Sequence, residues 1–199
     1  MNQTSTRYTK VAIILHGLIA LGLFAMFALG WFMDEIPKEA AKQSAFDLFN
    51  LGIYSWQTAE EISPRAFYFN LHKSIGVTLL ALIALRVFWR ITHRPPAMLT
   101  SYKAWESKLA TGVHHLLYVL MVAMPLSGLI MAINSKYGVL WFGMDLISGL
   151  DNKECRDLFK EIHEIVGTVL FLMIVLHIVG ALKHKLIDKD TTMQRMSLK

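Results

Sequence analysis

Four of the eight histidines lie in long apolar segments or at the edge of one, where an imidazole ring requires a partner or a function. His16, His72 and His177 lie within such segments, and His163 begins the last of them. A lone histidine in this setting is usually a structural hydrogen-bonding residue. Several histidines at matched positions instead indicate ligation of a metal or cofactor, because neutral imidazole is a common metal ligand.

The positions of these histidines divide them into two pairs. His16 and His177 each lie six residues from a flanking lysine, about 9 Å inside the same end of the apolar segments. His72 and His163 lie near the opposite end. His163 and His177 are fourteen residues apart, which is close to four helical turns, so they share one helix face about 21 Å apart. This pattern predicts two stacked flat cofactors, one bound by His16 and His177 and the other by His72 and His163.

The cysteine content limits the kind of cofactor. Cys155 is the single cysteine, which excludes an intramolecular disulfide, a Cys-x-x-Cys-His haem attachment site and cysteine-rich iron–sulfur or zinc sites. Two imidazoles on one iron leave no open coordination position, an arrangement typical of low-spin haem that transfers electrons. We therefore predict two non-covalently bound b-type haems, with the four histidines as iron ligands and no side chain in a catalytic role.

Two glycines lie one turn after predicted ligands. Gly76 follows His72 by four residues and Gly167 follows His163 by four, so both motifs are His-x-x-x-Gly. The absence of a side chain there would let a flat macrocycle lie against the helix. The alternative is close packing of neighbouring helices, for which membrane proteins also use small residues.

Other polar residues in the apolar segments are candidates for contacts with the cofactors. Arg86 lies fourteen residues after His72, near the depth of His16, where a haem propionate would satisfy its charge; the alternative is snorkelling to lipid headgroups. Lys73 has the same two alternatives at the other haem. His114 is predicted to hydrogen-bond a propionate or quinone, with replacement of His16 as a ligand as the alternative. His93 and His184 are expected to be solvated.

Four apolar segments are long enough to cross a bilayer, which requires about 20 residues of helix. They extend over about Val11–Met33, Phe67–Trp89, His115–Ile133 and Ile165–Leu182. The predicted fold is an all-α integral membrane four-helix bundle, a single domain over residues 1–199 with the haems between its helices. The first segment is too long for a cleavable signal peptide. The Lys38–Tyr54 segment is predicted to form a short interfacial helix, and Pro95 and Pro96 to form a turn.

The distribution of basic residues predicts the orientation. Eleven Lys and Arg flank the spans at the side of the two termini, whereas seven lie in the longer connections at the other side, which are rich in acids. The positive-inside rule therefore predicts cytoplasmic termini. The formal charge of +5 is distributed at span ends rather than along one stripe, which argues for a membrane partner and against nucleic acid.

Short segments in every span carry a family resemblance. They are His16; Leu71-His72-Lys73-Ser74-Ile75-Gly76 and Arg86-Val87-Phe88-Trp89-Arg90; His114, Leu117-Tyr118 and Pro125-Leu126-Ser127-Gly128; Glu161-Ile162-His163-Glu164 and His177; and, in the tail, Ala181-Leu182-Lys183-His184, Ile187-Asp188-Lys189-Asp190 and Arg195-Met196. In this order and spacing they resemble the bacterial cytochrome b561 family, the small di-haem cytochromes b of the inner membrane, over nearly the whole chain.

The resemblance implies haem ligation by the first, second and fourth spans and a quinone, such as ubiquinone, as redox partner. The expected function is electron transfer to or from a quinone in a respiratory or redox-protective chain, with a periplasmic redox protein as a further partner. The alternatives are a haem-bearing anchor subunit of a separate dehydrogenase and a quinone/superoxide oxidoreductase. The long first outer loop departs from the shortest family members and argues against superoxide activity. A haem-free metal or proton transporter is disfavoured, since histidines at two depths suit two flat cofactors better.

Overall fold

The computed structural model describes residues 6–99 and 102–198. Four long helices dominate this part of the chain: α1 (Lys10–Glu35), α2 (Pro64–Thr92), α3 (Ala104–Ile133) and α4 (Lys153–Lys183). Each helix is long and apolar enough to cross a bilayer, which confirms the predicted four-helix membrane fold. The connection that contains Pro95 and Pro96 is non-helical, as predicted.

The helices extend further than the predicted spans. The third begins eleven residues before His115, and the fourth begins twelve residues before Ile165. The predicted bounds followed apolar residues alone, whereas capping contacts start each helix in a polar segment. Side-chain oxygens of the residues before or in the first turn accept backbone N–H groups near all four starts: Thr9 from Ala12, Ser63 from Ala66, Glu106 from Lys103 and Asn152 from Cys155.

Two antiparallel hairpins interrupt the helical order. Strands β1 (Gln43–Asp47) and β2 (Ser55–Ile62) form the first hairpin, and β3 (Val139–Trp141) and β4 (Met144–Ile147) form the second. The predicted interfacial helix over Lys38–Tyr54 is therefore wrong. Phe46 is buried in β1 and stacks on Phe67 of α2 at 4.8 Å between ring centroids, so tertiary packing overrides the helical spacing of apolar residues.

The chain forms two compact units. The first unit comprises Met1–Ala20, Leu80–Ser127 and Lys160–Lys199, and the second comprises Leu21–Leu79 and Gly128–Phe159. Every helix contributes residues to both. The first unit buries apolar side chains from all four helices, namely Leu15, Ile19, Ile83, Leu120 and Leu170. The second buries Phe46, Phe67, Leu71, Leu79 and Val139.

In the first unit, the segment after α4 contacts the segment before α1 and the α2–α3 connection. Arg195 donates to the carbonyl oxygens of Thr6 and Ala97, at 2.9 and 2.6 Å, and its own carbonyl accepts from the Tyr8 amide at 3.2 Å. Arg195 thus joins the segment before α1 to the α2–α3 connection. We call this set of contacts the terminal cap.

Candidate functional site

Three histidines from three helices meet in the first unit. His16 of α1 and His177 of α4 have ring centroids 6.2 Å apart, with their planes tilted by 38°. His114 of α3 lies 5.2 Å from His177, with its ring nearly perpendicular. The predicted pair of His16 and His177 is thus brought together. His114, predicted to hydrogen-bond a propionate or quinone or else to replace His16 as a ligand, adjoins the ring of His177.

The separation of His16 and His177 fits two ligands of one metal ion. Two imidazoles on opposite sides of a metal have ring centres about 6 Å apart, since each bond is about 2 Å and the nitrogen lies about 1 Å from the ring centre. The observed 6.2 Å is close to this value. Gly180, one turn after His177, leaves open space where a side chain would lie. The donor set and this space fit bis-imidazole binding of a flat macrocycle.

Arg86 adds a positive charge beside this cluster. Its Nη1 donates to the carbonyl oxygen of Ala12 on α1 at 3.4 Å, and its guanidinium lies 5.6 Å from the centre of the Tyr118 ring. The Nε atom is buried, and no described residue accepts its hydrogen. A buried donor without an acceptor is costly, so the geometry favours an anion near Arg86. These contacts join Arg86 of α2 to α1 and α3.

His163 of α4 is oriented by two oxygen atoms of α3. Its Nδ1 lies 3.0 Å from the carbonyl oxygen of Met124 and 3.1 Å from Oγ of Ser127. The Ser127 hydroxyl donates to the same carbonyl at 2.8 Å, so its oxygen accepts from the imidazole. This network assigns the proton to Nδ1, so Nε2 is the ring nitrogen that carries the lone pair, the tautomer typical of histidine ligands.

Ser127 was not predicted as a site residue, and the structure shows it to be one of three buried polar residues among those described. Gly167, one turn after His163, is also buried, and a Cβ there would lie 3.0 Å from Cε of Met124. That contact is one of close helix packing, the alternative left open for this glycine.

His72 lies in the second unit, on α2, and is considered there by itself. A glycine of α1, Gly30, lies opposite it, since a Cβ at Gly30 would be 3.8 Å from Cε1 of His72. Gly76 lies against Cε of Met26 on α1, at 3.6 Å from the position of a Cβ. Small residues on both helices therefore line the helix surfaces around His72. Gly30 was not predicted, because its sequence neighbourhood contains no ligand candidate.

The α2 residues after His72 bind the second hairpin. Lys73 Nζ donates to the Gly138 carbonyl at 3.0 Å, a contact that neither of its two predicted roles includes. The Phe142 amide donates to Oγ of Ser74 at 2.9 Å, and the Trp141 indole donates to Oγ1 of Thr78 at 3.1 Å. These bonds hold the β3–β4 hairpin against the face of α2 that follows His72.

The histidines predicted to be solvated differ from one another. His93 stacks on Trp89 at 3.8 Å and is exposed. His184 is not solvated, which corrects the prediction: its Nδ1 lies 2.8 Å from Asp190 and 3.0 Å from Asp188. Burial alone would raise the pKa of Asp190, but hydrogen bonds from Thr192 and His184 outweigh it and lower that pKa, so the carboxylate stays charged.

A family model and several relatives match this chain. The family model described as prokaryotic cytochrome b561 matches residues 7–198. Cytochrome b561 homolog 2 of Escherichia coli K12 is 31% identical over 195 residues, covering 97% of this chain and 92% of the relative. Cytochrome b561 homolog 1 of the same organism is 26% identical over 195 residues, with 96% of each chain covered.

A third relative has a different description. The probable superoxide oxidase CybB of Yersinia pestis is 27% identical over 154 residues, covering 73% of this chain and 86% of the relative. The family match extends over nearly all of the chain, including every helix and every histidine discussed above. The chain therefore belongs to the prokaryotic cytochrome b561 family and is a multi-pass membrane protein of the inner membrane that binds b-type haem and transfers electrons.

Proposed function

We propose that this protein is a di-haem cytochrome b that exchanges electrons with a quinone, with ubiquinone as the diffusible substrate. The observation that carries the proposal is the 6.2 Å separation of His16 and His177, on two helices of one compact unit. Haem held by two imidazoles supplies one-electron transfer without an open coordination position. Family membership supports the cofactor type, and the positions of the histidines support the number of haems.

The first haem is held by His16 and His177. Both imidazoles offer a ring nitrogen to the iron, and Arg86 offers its unsatisfied Nε–H to a propionate. His114 lies against the same ligand ring and is assigned to a hydrogen bond with a propionate or quinone. The contact between Arg86 and Tyr118 supports the role of Arg86, because it holds the guanidinium between the helices.

The second haem is held by His72 and His163. Their pairing rests on the sequence, which places both residues near the same end of the membrane spans. The proton on Nδ1 of His163 supports ligation by its Nε2. Lys73 keeps two further N–H groups beyond its bond to Gly138, and these are available to a propionate.

The orientation in the bacterial inner membrane follows from charge. We infer that both termini are cytoplasmic and that the two hairpins face the periplasm, because eleven Lys and Arg flank the spans at the terminal side against seven at the other. The acidic hairpin side would then meet a periplasmic redox partner. Electrons would enter or leave at the haem of His72 and His163.

Superoxide oxidation is the second candidate function. It is favoured by the similarity to the Yersinia pestis relative described as a probable superoxide oxidase. In this chain, however, the end of α1 and the connection before α2 together carry six acidic residues, and the connection forms a hairpin; these charges would repel an anionic substrate. An anchor subunit of a separate dehydrogenase is the remaining alternative, and it predicts no quinol reactivity in the isolated protein.

The test uses the purified full-length protein in a lipid environment. The haem-to-protein ratio should be two, and ubiquinol should reduce both haems without another protein. His72→Ala and His163→Ala should remove the same spectral component, whereas His16→Ala and His177→Ala should remove the other. His115→Ala is the matched control, because its Nδ1 binds the Thr111 carbonyl on its own helix, 2.9 Å away.

Three outcomes would contradict parts of the proposal. A haem-to-protein ratio near one would exclude the second haem. Loss of the same spectral component in His16→Ala and His72→Ala would overturn the pairing of the ligands. Unchanged reduction of the remaining haem by ubiquinol in His163→Ala would show that electrons do not enter at the hairpin side.

A further inference from the structure

The connection between β1 and β2 exposes large apolar side chains although it lies outside the four helices. We call residues Leu48–Tyr54 the apolar turn, which carries no charged residue. Within it, Phe49, Leu51 and Ile53 are 51%, 61% and 76% exposed. Three such side chains in five residues form an unusual surface for a segment in water, and an exposed apolar patch of this kind marks an interaction site.

The apolar turn has a defined conformation. The Asp47 carboxylate accepts the Gly52 amide at 2.9 and 3.0 Å, and the Leu48 amide donates to the Tyr54 carbonyl at 2.8 Å. Gly52 has φ of +66° and Phe49 has φ of +51°, a region that a bulky residue rarely adopts. These hydrogen bonds hold the backbone in one conformation, in which the side chains of Leu51 and Ile53 are exposed.

The apolar turn is continuous with aromatic side chains at the helix ends. The centroid of the Phe49 ring lies 5.3 Å from that of Phe32 on α1 and 5.7 Å from that of Tyr68 on α2. Phe32 lies three residues before the end of α1, and Tyr68 lies four residues after the start of α2. Beside them, Trp31 is 61% exposed. Aromatic residues at the ends of membrane helices mark the depth of the lipid headgroups.

We propose that the apolar turn inserts into the lipid headgroup–acyl boundary on the side of the membrane where α1 ends and α2 begins, and so anchors the β1–β2 hairpin to the bilayer. The partner is lipid because the exposed side chains continue the lipid-facing aromatic belt and carry no charge. The anchored hairpin is in turn packed on α2 through Trp56, whose ring centroid lies 6.0 Å from that of Phe67. The bilayer thus fixes the position of a connection that lies outside the four membrane helices.

The experiment measures the surroundings of single nitroxide labels on the full-length protein in single-chain phosphatidylcholine nanodiscs. Cys155→Ser removes the only native cysteine. Leu51→Cys and Ile53→Cys place labels in the apolar turn, and Lys42→Cys, exposed just before β1, is the matched control. Oxygen concentrates in lipid and a nickel chelate in water. We expect the ratio of oxygen to nickel accessibility to be several-fold higher at residues 51 and 53 than at residue 42.

Two results would overturn the proposal. Nickel accessibility at residues 51 and 53 equal to that at residue 42 would place the apolar turn in water. Low accessibility to both reagents would show burial against protein, either this chain or a second copy. An unchanged haem spectrum in each labelled variant shows that folding is preserved, and because the measurement does not depend on haem assignment, its outcome is independent of the proposed function.

Discussion

Replacing Ser127 with alanine removes one of the two oxygen atoms that accept from Nδ1 of His163. The other, the Met124 carbonyl, remains at 3.0 Å. An acceptor at Nδ1 makes the imidazole a stronger electron donor to iron and favours the oxidised state, so its loss should raise the reduction potential of the haem that His163 binds.

The magnitude follows from the strength of one hydrogen bond. A neutral bond contributes about 1 kcal/mol, and the retained carbonyl compensates for part of the loss, so the oxidised state should lose about 0.5 to 1 kcal/mol relative to the reduced state. For a one-electron couple, about 59 mV corresponds to a tenfold change, or about 1.4 kcal/mol. The expected increase is therefore roughly 20 to 40 mV.

The assay is a spectroelectrochemical titration of the purified protein, with the affected haem identified as the component lost in His163→Ala. Ser135→Ala is the matched control, because the Ser135 hydroxyl donates to the Ala132 carbonyl just as Ser127 donates to that of Met124, at 2.7 and 2.8 Å. An unchanged potential with intact haem content, or a change only in the other haem, would refute the role of Ser127. Retention of both haems by His163→Ala would refute the ligand assignment itself.

Further predictions concern the cofactors and the second hairpin. Acid–acetone should extract all haem from the protein, since Cys155 is the only cysteine, and haem left on the polypeptide would contradict non-covalent binding. His114→Ala should retain two haems with an altered spectrum, whereas His16→Ala should lose one; the opposite result would make His114 the ligand. Gly138→Ala should lower the thermal unfolding temperature, because φ is +61° and a Cβ would collide with the Ile147 carbonyl, with a cost of at least about 1 to 2 kcal/mol. An unchanged unfolding temperature would show that the hairpin accommodates the methyl group.

The sequence predicted the four helices because long apolar segments bounded by charges have few other solutions. It did not predict the hairpins, because the contacts that select strands join distant segments. Phe46 stacks on Phe67, which lies twenty-one residues later in the chain. Nε1 of Trp56 lies so close to Gly143 that a Cβ there would be 3.0 Å away. Apolar spacing within Lys38–Tyr54 contained no sign of these partners.

The candidate site was predictable to a similar extent. Counting residues along each helix placed His16 and His177 at one depth, and the structure shows them together. Counting did not reveal the orientation of His163, which depends on which side chain of α3 faces it. A serine in an apolar helix is equally suited to close packing, so Ser127 could be recognised only as a buried polar group in need of a partner.

The terminal cap has a consequence for the order in which the protein is assembled. Arg195 lies beyond α4 and is translated after all four helices, yet it bonds to Thr6 before α1 and to Ala97 between α2 and α3. The ribosome therefore delivers four complete spans to the membrane before these contacts can form. Closure of the cap therefore follows the synthesis of α4, and a chain whose synthesis stops just after α4 would contain every span but none of the Arg195 contacts.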